Sequence, residues 1–122
     1  MGSGKGRAII GAAITVPFEK YIGIEYLDSL YNTSIVIKNK FEEDFPNYYK
    51  DNKEKLPKYN NDKNMRDFLK IYLSKASFIF INSTTFIEKL FGDLDEKFNE
   101  DYKTGCIVVN TTMKLSKLDK NK

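Results

Sequence analysis

The chain has 122 residues, of which 41% are hydrophobic and 14% aromatic, and its formal net charge is +3. This is the length and composition of one ordinary globular domain, which excludes an intrinsically disordered chain. Histidine is absent and cysteine occurs once, which excludes Ser-His and Cys-His catalysis, most zinc sites and an intrachain disulfide.

The N-terminal residues 1–8 contain three glycines and two cations, and we predict that they form a flexible arm. The segment Gly2-Ser3-Gly4-Lys5-Gly6 invites comparison with a phosphate-binding loop. The Walker pattern, however, needs a preceding strand, a glycine five residues before the lysine, and Ser or Thr after it. Here Gly6 follows Lys5, so no cofactor is predicted from this segment.

Residues 8–16 are apolar, and periodicity cannot decide between a strand and the first turns of a helix over so short a run. Lys5 and Arg7 before this run give the outline of a short secretory signal. The run lacks a leucine-rich core, and Pro17 lies close to where cleavage would fall. We therefore expect an intracellular, cytoplasmic protein, with secretion as the disfavoured alternative. No apolar run approaches the roughly 20 residues that span a bilayer.

A long helix is predicted for residues 17–45. Pro17 suits the first turn of a helix, where its missing N–H has no partner to lose. Apolar residues then recur every three or four positions, and Pro46 ends the helix because the residue before a proline is pushed out of the helical region. The β-branched run at 35–37 leaves open a local strand.

Residues 46–63 are polar, contain Pro46 and Pro57, and are predicted to form a loop. Lysines alternate with tyrosines here, a pattern that can bind single-stranded nucleic acid by charge and stacking. Asp51 and Glu54 dilute the charge, so nucleic-acid binding is the weaker interpretation. The lysines in question are Lys50, Lys53, Lys55 and Lys58.

Two further helices are predicted, at 63–81 and 84–101, from apolar residues at helical spacing. Residues 106–113 are rich in β-branched side chains and fit a strand, and a short helix buried by its neighbours fits equally well. Residues 116–122 are predicted to be a polar tail. The expected fold is a single, mainly α domain resembling a three-helix bundle with a C-terminal strand or short helix. An α+β fold with strands near 8–16 and 106–113 is the alternative.

No catalytic or metal-binding constellation stands out in the sequence. Cys106 lies between apolar neighbours and is interpreted as a buried small residue rather than a nucleophile. The acidic clusters at 42–44 and 93–96 lack the spacing of a carboxylate metal site and are interpreted as charged outer helix faces.

Two stretches resemble parts of a known family. Thr104–Leu115 resembles the Gly-Cys-Leu-hydrophobic-hydrophobic-Asn-Thr-Ala segment in sensor domains of the TetR family of ligand-responsive repressors, and Ile22–Tyr31 resembles the helix that follows that family's DNA-binding head. Gly4-Lys5-Gly6 resembles the end of its recognition helix. The helix-turn-helix head itself is lacking. The resemblance implies a small-molecule-sensing core with an internal apolar pocket lined by Phe68, Tyr72, Phe91 and Cys106.

The sequence alone therefore predicts a non-catalytic helical interaction or regulatory protein that binds a protein partner or itself. The ligand-sensing core is one alternative, and a weak nucleic-acid-binding accessory protein is the second. No enzyme activity, cofactor or metal is expected.

Overall fold

The structure is a computed structural model that describes residues 1–53, 57–59, 67–101, 103–112 and 115. It divides into two compact units. The N-terminal unit is residues 2–67, and the C-terminal unit is Met1 with residues 68–122. We describe each unit by itself.

The first element of the N-terminal unit is helix α1, Arg7–Thr15. The apolar run 8–16 is therefore a helix and not the strand of the α+β alternative. The helix ends at Val16, whose N–H still donates to the Ala12 carbonyl at 2.9 Å, because Pro17 disfavours a helical conformation in the residue before it. Ile10 is its buried residue.

The predicted helix 17–45 is wrong in its first third. Strand β1, Ile22–Gly23, pairs in parallel with strand β2, Lys58–Tyr59. Helix α2, Asp28–Asp44, follows and stays helical through the β-branched run at 35–37. A weak helical preference around Gly23 is overridden by this pairing with a distant segment.

Helix α2 ends as predicted, just before Pro46. It has two ion pairs between residues four positions apart, the half-buried Lys38 with Glu42 at 3.1 Å and the exposed Lys40 with Asp44 at 2.5 Å. Exposed pairs at this spacing stabilise a helix only weakly, because water and salt screen the charges. Asp44 raises the pKa of the Lys40 ammonium through its hydrogen bond and its charge.

The segment predicted as a loop at 46–63 begins with helix α3, Pro46–Asn52. Pro46 occupies the first helical position, where its fixed φ suits the helix. The Tyr48 hydroxyl donates to the Ala13 carbonyl at 2.9 Å, so this segment is attached to the end of α1.

The C-terminal unit is a β–α–β arrangement. Strand β3, Phe78–Ile81, pairs in parallel with strand β4, Ile107–Asn110, and helix α4, Glu88–Asp101, connects them. Parallel neighbours require such a crossover, which is usually a helix. The strand alternative for 106–113 is confirmed over residues 107–110.

The predicted helix at 63–81 is wrong over the described residues 67–81, which contain β3 and no helix; its start at 63–66 lies outside the described residues. Along β3, Ile79 and Ile81 are buried while Phe78 and Phe80 are 40% exposed. A run of four apolar residues shows no period by which a strand and a buried helix can be distinguished. The third predicted helix, 84–101, is present but begins at Glu88.

Each unit has its own apolar interior. That of the N-terminal unit comprises Ile10, Tyr21, Ile24 and Tyr31. That of the C-terminal unit comprises Phe68, Leu73, Ile79, Ile81, Phe91, Leu94, Phe98 and Leu115. The described residues thus have mixed α and β content, as in the α+β alternative, and do not form the predicted three-helix bundle. No helix in the described part of the chain is long and apolar enough to cross a membrane.

Leu94 tests the packing of α4, since its side chain is fully buried. We expect Leu94→Ala to lower the free energy of unfolding by about 2–5 kcal/mol, because it removes buried apolar surface and leaves a cavity. Ile87, which is 68% exposed just before the same helix, is the matched control, and Ile87→Ala should change stability by less than about 0.5 kcal/mol. Urea denaturation followed by circular dichroism measures both; equal losses would contradict this packing.

Candidate functional site

A glycine-rich turn leads into helix α1. Gly2, Gly4 and Gly6 all have positive φ, at 62°, 54° and 80°, a backbone region that side chains other than glycine rarely adopt. The Gly6 N–H donates to the Ser3 carbonyl at 2.9 Å and closes the turn. We call residues 2–6 the glycine loop. The predicted flexible arm, residues 1–8, therefore consists of Met1, this turn and the start of α1.

Glu25 lies directly after β1 and attaches the glycine loop to the end of that strand. Its Oε2 accepts a hydrogen bond from the Gly4 N–H at 2.8 Å, and its Oε1 accepts one from the Leu27 N–H at 2.9 Å. The Ser3 N–H donates to the Ile24 carbonyl at 3.0 Å beside it. The Glu25 residue is 7% exposed, so a buried carboxylate is held by charge-assisted bonds to backbone donors.

The glycine loop ends at the N-terminus of α1, where no side chain caps the helix. The first N–H groups of a helix have no partner within it and attract acceptor oxygens. A Cβ atom built on Gly4 would meet nothing within 4 Å. The loop backbone is therefore open to a ligand on that side.

Tyr59 packs against this arrangement. The ring of Tyr59 occupies the space that Cβ atoms would need at both Gly6 and Gly23, and its hydroxyl lies 3.5 Å from the Gly6 carbonyl oxygen. Burial raises the pKa of the Tyr59 hydroxyl to about 12, so the phenol is neutral at physiological pH.

The glycine loop, the N-terminus of α1 and Glu25 together match a known ligand-binding arrangement. A glycine-rich turn, a helix N-terminus and an acidic residue about 20 positions later form the arrangement with which strand–helix–strand folds bind nucleosides, the acid accepting from ribose hydroxyls. The Walker pattern and the TetR recognition helix, with which these glycines were compared, do not include an acidic residue about 20 positions later, so Glu25 was not connected with them. The available signal was the acidic residue directly after the apolar triplet Ile22-Gly23-Ile24.

A second polar cluster lies in the C-terminal unit, at the carboxyl ends of β3 and β4. The Ser83 hydroxyl donates to Asn110 Oδ1 at 2.5 Å and lies 2.6 Å from the Thr112 hydroxyl, while the Ser83 N–H donates to the Thr111 hydroxyl at 3.1 Å. Ser83 is only 2% exposed. Buried polar groups are costly unless satisfied, so this network ties the two strand ends together.

The residues predicted to line a sensor pocket differ in their burial. Phe68 and Phe91 are buried, but Tyr72 is 88% exposed. Phe68 instead stacks on Phe86, with ring centroids 5.3 Å apart. Cys106 is partly buried, which raises the pKa of its thiol and disfavours the reactive thiolate.

The lysines considered for nucleic-acid binding lie on different elements. Lys50 is on α3, Lys53 follows that helix and Lys58 is on β2; all three are exposed, and Lys55 is outside the described residues. Nucleic-acid binding by these lysines stays a prediction. Among the described residues, no group of three or more acidic, histidine or cysteine side chains is placed to hold a metal ion.

Comparison with known proteins gives one match. The model of a protein family described as "Histone methylation protein DOT1" matches residues 1–121. No curated protein and no solved structure matches the chain.

This match corrects the functional predictions. The resemblance to the TetR family is wrong, because the matching model covers residues 1–121 and describes a histone methylation protein. The non-catalytic interaction or regulatory protein and the sensor core are overturned with it. The prediction that the chain is not an enzyme is also wrong, because histone methylation is an enzymatic reaction. A protein or nucleic-acid partner and an intracellular setting fit this family, since histones are intracellular proteins bound to DNA.

Two glycines with opposite backbone requirements test the loop conformation. Gly4 has φ +54° in open space, whereas Gly11 lies inside α1, also with nothing within 4 Å of an added Cβ. We expect Gly4→Ala to destabilise the fold by about 1–2 kcal/mol, the cost of a left-handed conformation. Gly11→Ala should stabilise it by about 0.5–1 kcal/mol. Urea denaturation gives both values, and a stabilised Gly4→Ala variant would contradict the loop geometry.

The raised pKa of Tyr59 predicts a pH dependence of stability. The phenol pKa rises from 10.0 to about 12 on folding, so its contribution is fully present below pH 10 and is lost as the pH rises to 12. We expect the free energy of unfolding to fall over this interval, and Tyr59→Phe to reduce that fall. Tyr49→Phe, which leaves Tyr59 in place, should retain the wild-type profile. An unchanged profile in Tyr59→Phe would show that Tyr59 is not buried as described.

Proposed function

The chain belongs to the DOT1 histone methylation family, and from this we propose that its glycine loop and Glu25 bind the nucleoside part of a methyl donor. The observation on which the proposal depends is the 2.8 Å hydrogen bond from the Gly4 N–H to Glu25 Oε2. That bond places the loop, the N-terminus of α1 and a carboxylate beside one another. The glycine loop and Glu25 together are called the donor site below.

The class of donor follows from the chemistry of methylation and from the shape of the site. S-adenosylmethionine supplies an electrophilic methyl group on a sulfonium, and it consists of a nucleoside joined to an amino acid. A nucleoside suits the donor site because ribose hydroxyls donate hydrogen bonds and an ionised carboxylate only accepts them. The open side of Gly4 leaves room for such a ligand against the backbone.

Each residue of the donor site has a separate role in this proposal. Glu25 accepts from the ribose and, through Gly4, holds the loop at the strand end. Glycine at position 4 allows the ligand to approach the backbone without a side chain between them. The uncapped N-terminus of α1 offers N–H donors to an acceptor oxygen of the ligand.

The acceptor of the methyl group is proposed to be a histone. This part rests on the description of the family, and it implies that the protein works on chromatin in the nucleus. The formal net charge of +3 gives a mild attraction to the DNA with which histones are associated.

Substitution of Glu25 tests donor binding directly. We expect wild-type chain to bind S-adenosylhomocysteine, the demethylated and chemically stable product, in isothermal titration calorimetry. Glu25→Gln should weaken binding at least about tenfold, because hydrogen bonds to charged groups contribute about 1.5–3 kcal/mol. Glu19→Gln is the matched control, since Glu19 is exposed in the same unit, and it should bind like wild type.

Circular dichroism of each variant establishes that it is folded before binding is compared. No binding by the wild-type chain would overturn the proposed function. Equal affinities of Glu25→Gln and Glu19→Gln would remove Glu25 from the site.

A further inference from the structure

We propose that Tyr59 is a positioning residue for the donor site. Its side chain packs between Gly6 and Gly23 and sets the distance between the glycine loop and the end of β1. The expected effect of Tyr59 on ligand affinity rests on the proposed function. The expected effect of Tyr59 on the position of the glycine loop does not, because it concerns the ligand-free chain.

The first contact of the Tyr59 side chain is with strand β1. Gly23 pairs with Tyr59 in the β1–β2 register. A Cβ atom built on Gly23 would lie 2.4 Å from Cε1 and 2.8 Å from Cδ1 of the Tyr59 ring. Ring carbons in a packed strand pair cannot yield that much space, so the ring fits only because residue 23 has no side chain.

The second contact is with the end of the glycine loop. A Cβ atom built on Gly6 would lie 2.2 Å from the Tyr59 hydroxyl oxygen and 3.1 Å from the Ser34 Cβ. Ser34 is fully buried on α2, so it supports Gly6 from a second direction. The Gly6 carbonyl also accepts from the Ile10 N–H at 3.1 Å, which fixes the first turn of α1.

Between these two contacts lie the bonds that define the donor site. The Ser3 N–H to Ile24 carbonyl bond and the Gly4 N–H to Glu25 bond both join the loop to the residues directly after Gly23. Ser3 Oγ lies 3.3 Å from the Cβ position at Gly23, so it belongs to the same packed group. A ring that touches Gly6 and Gly23 therefore fixes the separation across which Gly4 reaches Glu25.

Tyrosine suits this position better than a smaller apolar residue. Its ring carbons reach Gly23 while its hydroxyl reaches Gly6, a span that valine does not have. The hydroxyl is neutral at physiological pH, as in any tyrosine, and burial raises its pKa further to about 12, so no charge is placed against the loop carbonyl. Binding sites require such support, because a site displaced by about 1 Å loses much of its activity.

The test compares four variants of the 122-residue chain. Tyr59→Val removes the ring atoms while keeping a residue that favours strands, and Gly23→Ala forces a Cβ against the ring. The double variant Gly23→Ala/Tyr59→Val has no ring for that Cβ to meet. Gly11→Ala is the control for a glycine substitution, because nothing lies within 4 Å of its added Cβ.

Two quantities are measured on each variant. The first is hydrogen exchange of the Gly4 amide in ligand-free protein, by NMR, which reports the Gly4–Glu25 bond. The second is the affinity for S-adenosylhomocysteine by calorimetry. If Tyr59→Val does not fold, Tyr59→Leu, which retains more apolar volume, replaces it in the single and the double variant.

We expect Tyr59→Val and Gly23→Ala each to speed exchange of the Gly4 amide and to weaken binding by about tenfold or more, as a displaced loop requires. In the Tyr59→Val background, adding Gly23→Ala should have little further effect, a coupling that a general loss of stability would not produce. Gly11→Ala should match wild type in both quantities.

Unchanged Gly4 exchange and affinity in Tyr59→Val would overturn the positioning role while leaving the donor site intact. Additive effects of the two substitutions would also overturn it. If the wild-type chain does not bind S-adenosylhomocysteine, the proposed function fails, and Gly4 exchange alone still decides whether Tyr59 positions the loop.

Discussion

The hydrogen bond between the Gly4 N–H and the Glu25 carboxylate is the contact on which the N-terminal unit depends. It joins a turn at the start of the chain to the end of a two-residue strand. Neither part is stable alone: a glycine-rich turn loses much conformational entropy on folding, and so short a strand has few hydrogen bonds. Because the Glu25 side chain is buried and each of its oxygens accepts from a backbone N–H, it holds both in place.

Several other features of the N-terminal unit follow from that attachment. Tyr59 fills the space beneath the glycine loop and requires glycine at positions 6 and 23. Helix α1 begins where the loop ends, and its uncapped N-terminus is left for a ligand. The same residues thus serve stability and binding, and a substitution chosen to test one must be checked for its effect on the other.

In the C-terminal unit too, side-chain hydrogen bonds join segments that are distant in the sequence. Ser83 follows β3 by two residues and Asn110 is the last residue of β4, and the Ser83 hydroxyl donates to the Asn110 side-chain oxygen. Ligands of parallel sheets bind outside the carboxyl ends of the strands. Hydrogen bonds from the buried Ser83 to residues 110–112 give that end of the sheet a defined shape, in the way that Glu25 does for the glycine loop.

The sequence by itself determined the helical character of 28–44 and 88–101 and the break at Pro46, because hydrophobic spacing and proline sterics are local properties. It left 106–113 open between a strand and a short helix, and pairing with β3 decided for the strand at 107–110. It also contained Gly2, Gly4, Gly6 and Glu25, yet only tertiary structure showed that they belong together, since the Gly4–Glu25 bond joins residues 21 positions apart. The strand at 22–23 was likewise decided by pairing with 58–59, and the strand at 78–81 by burial of alternate residues. Local preference is weak at such places, and contacts with distant segments outweigh it.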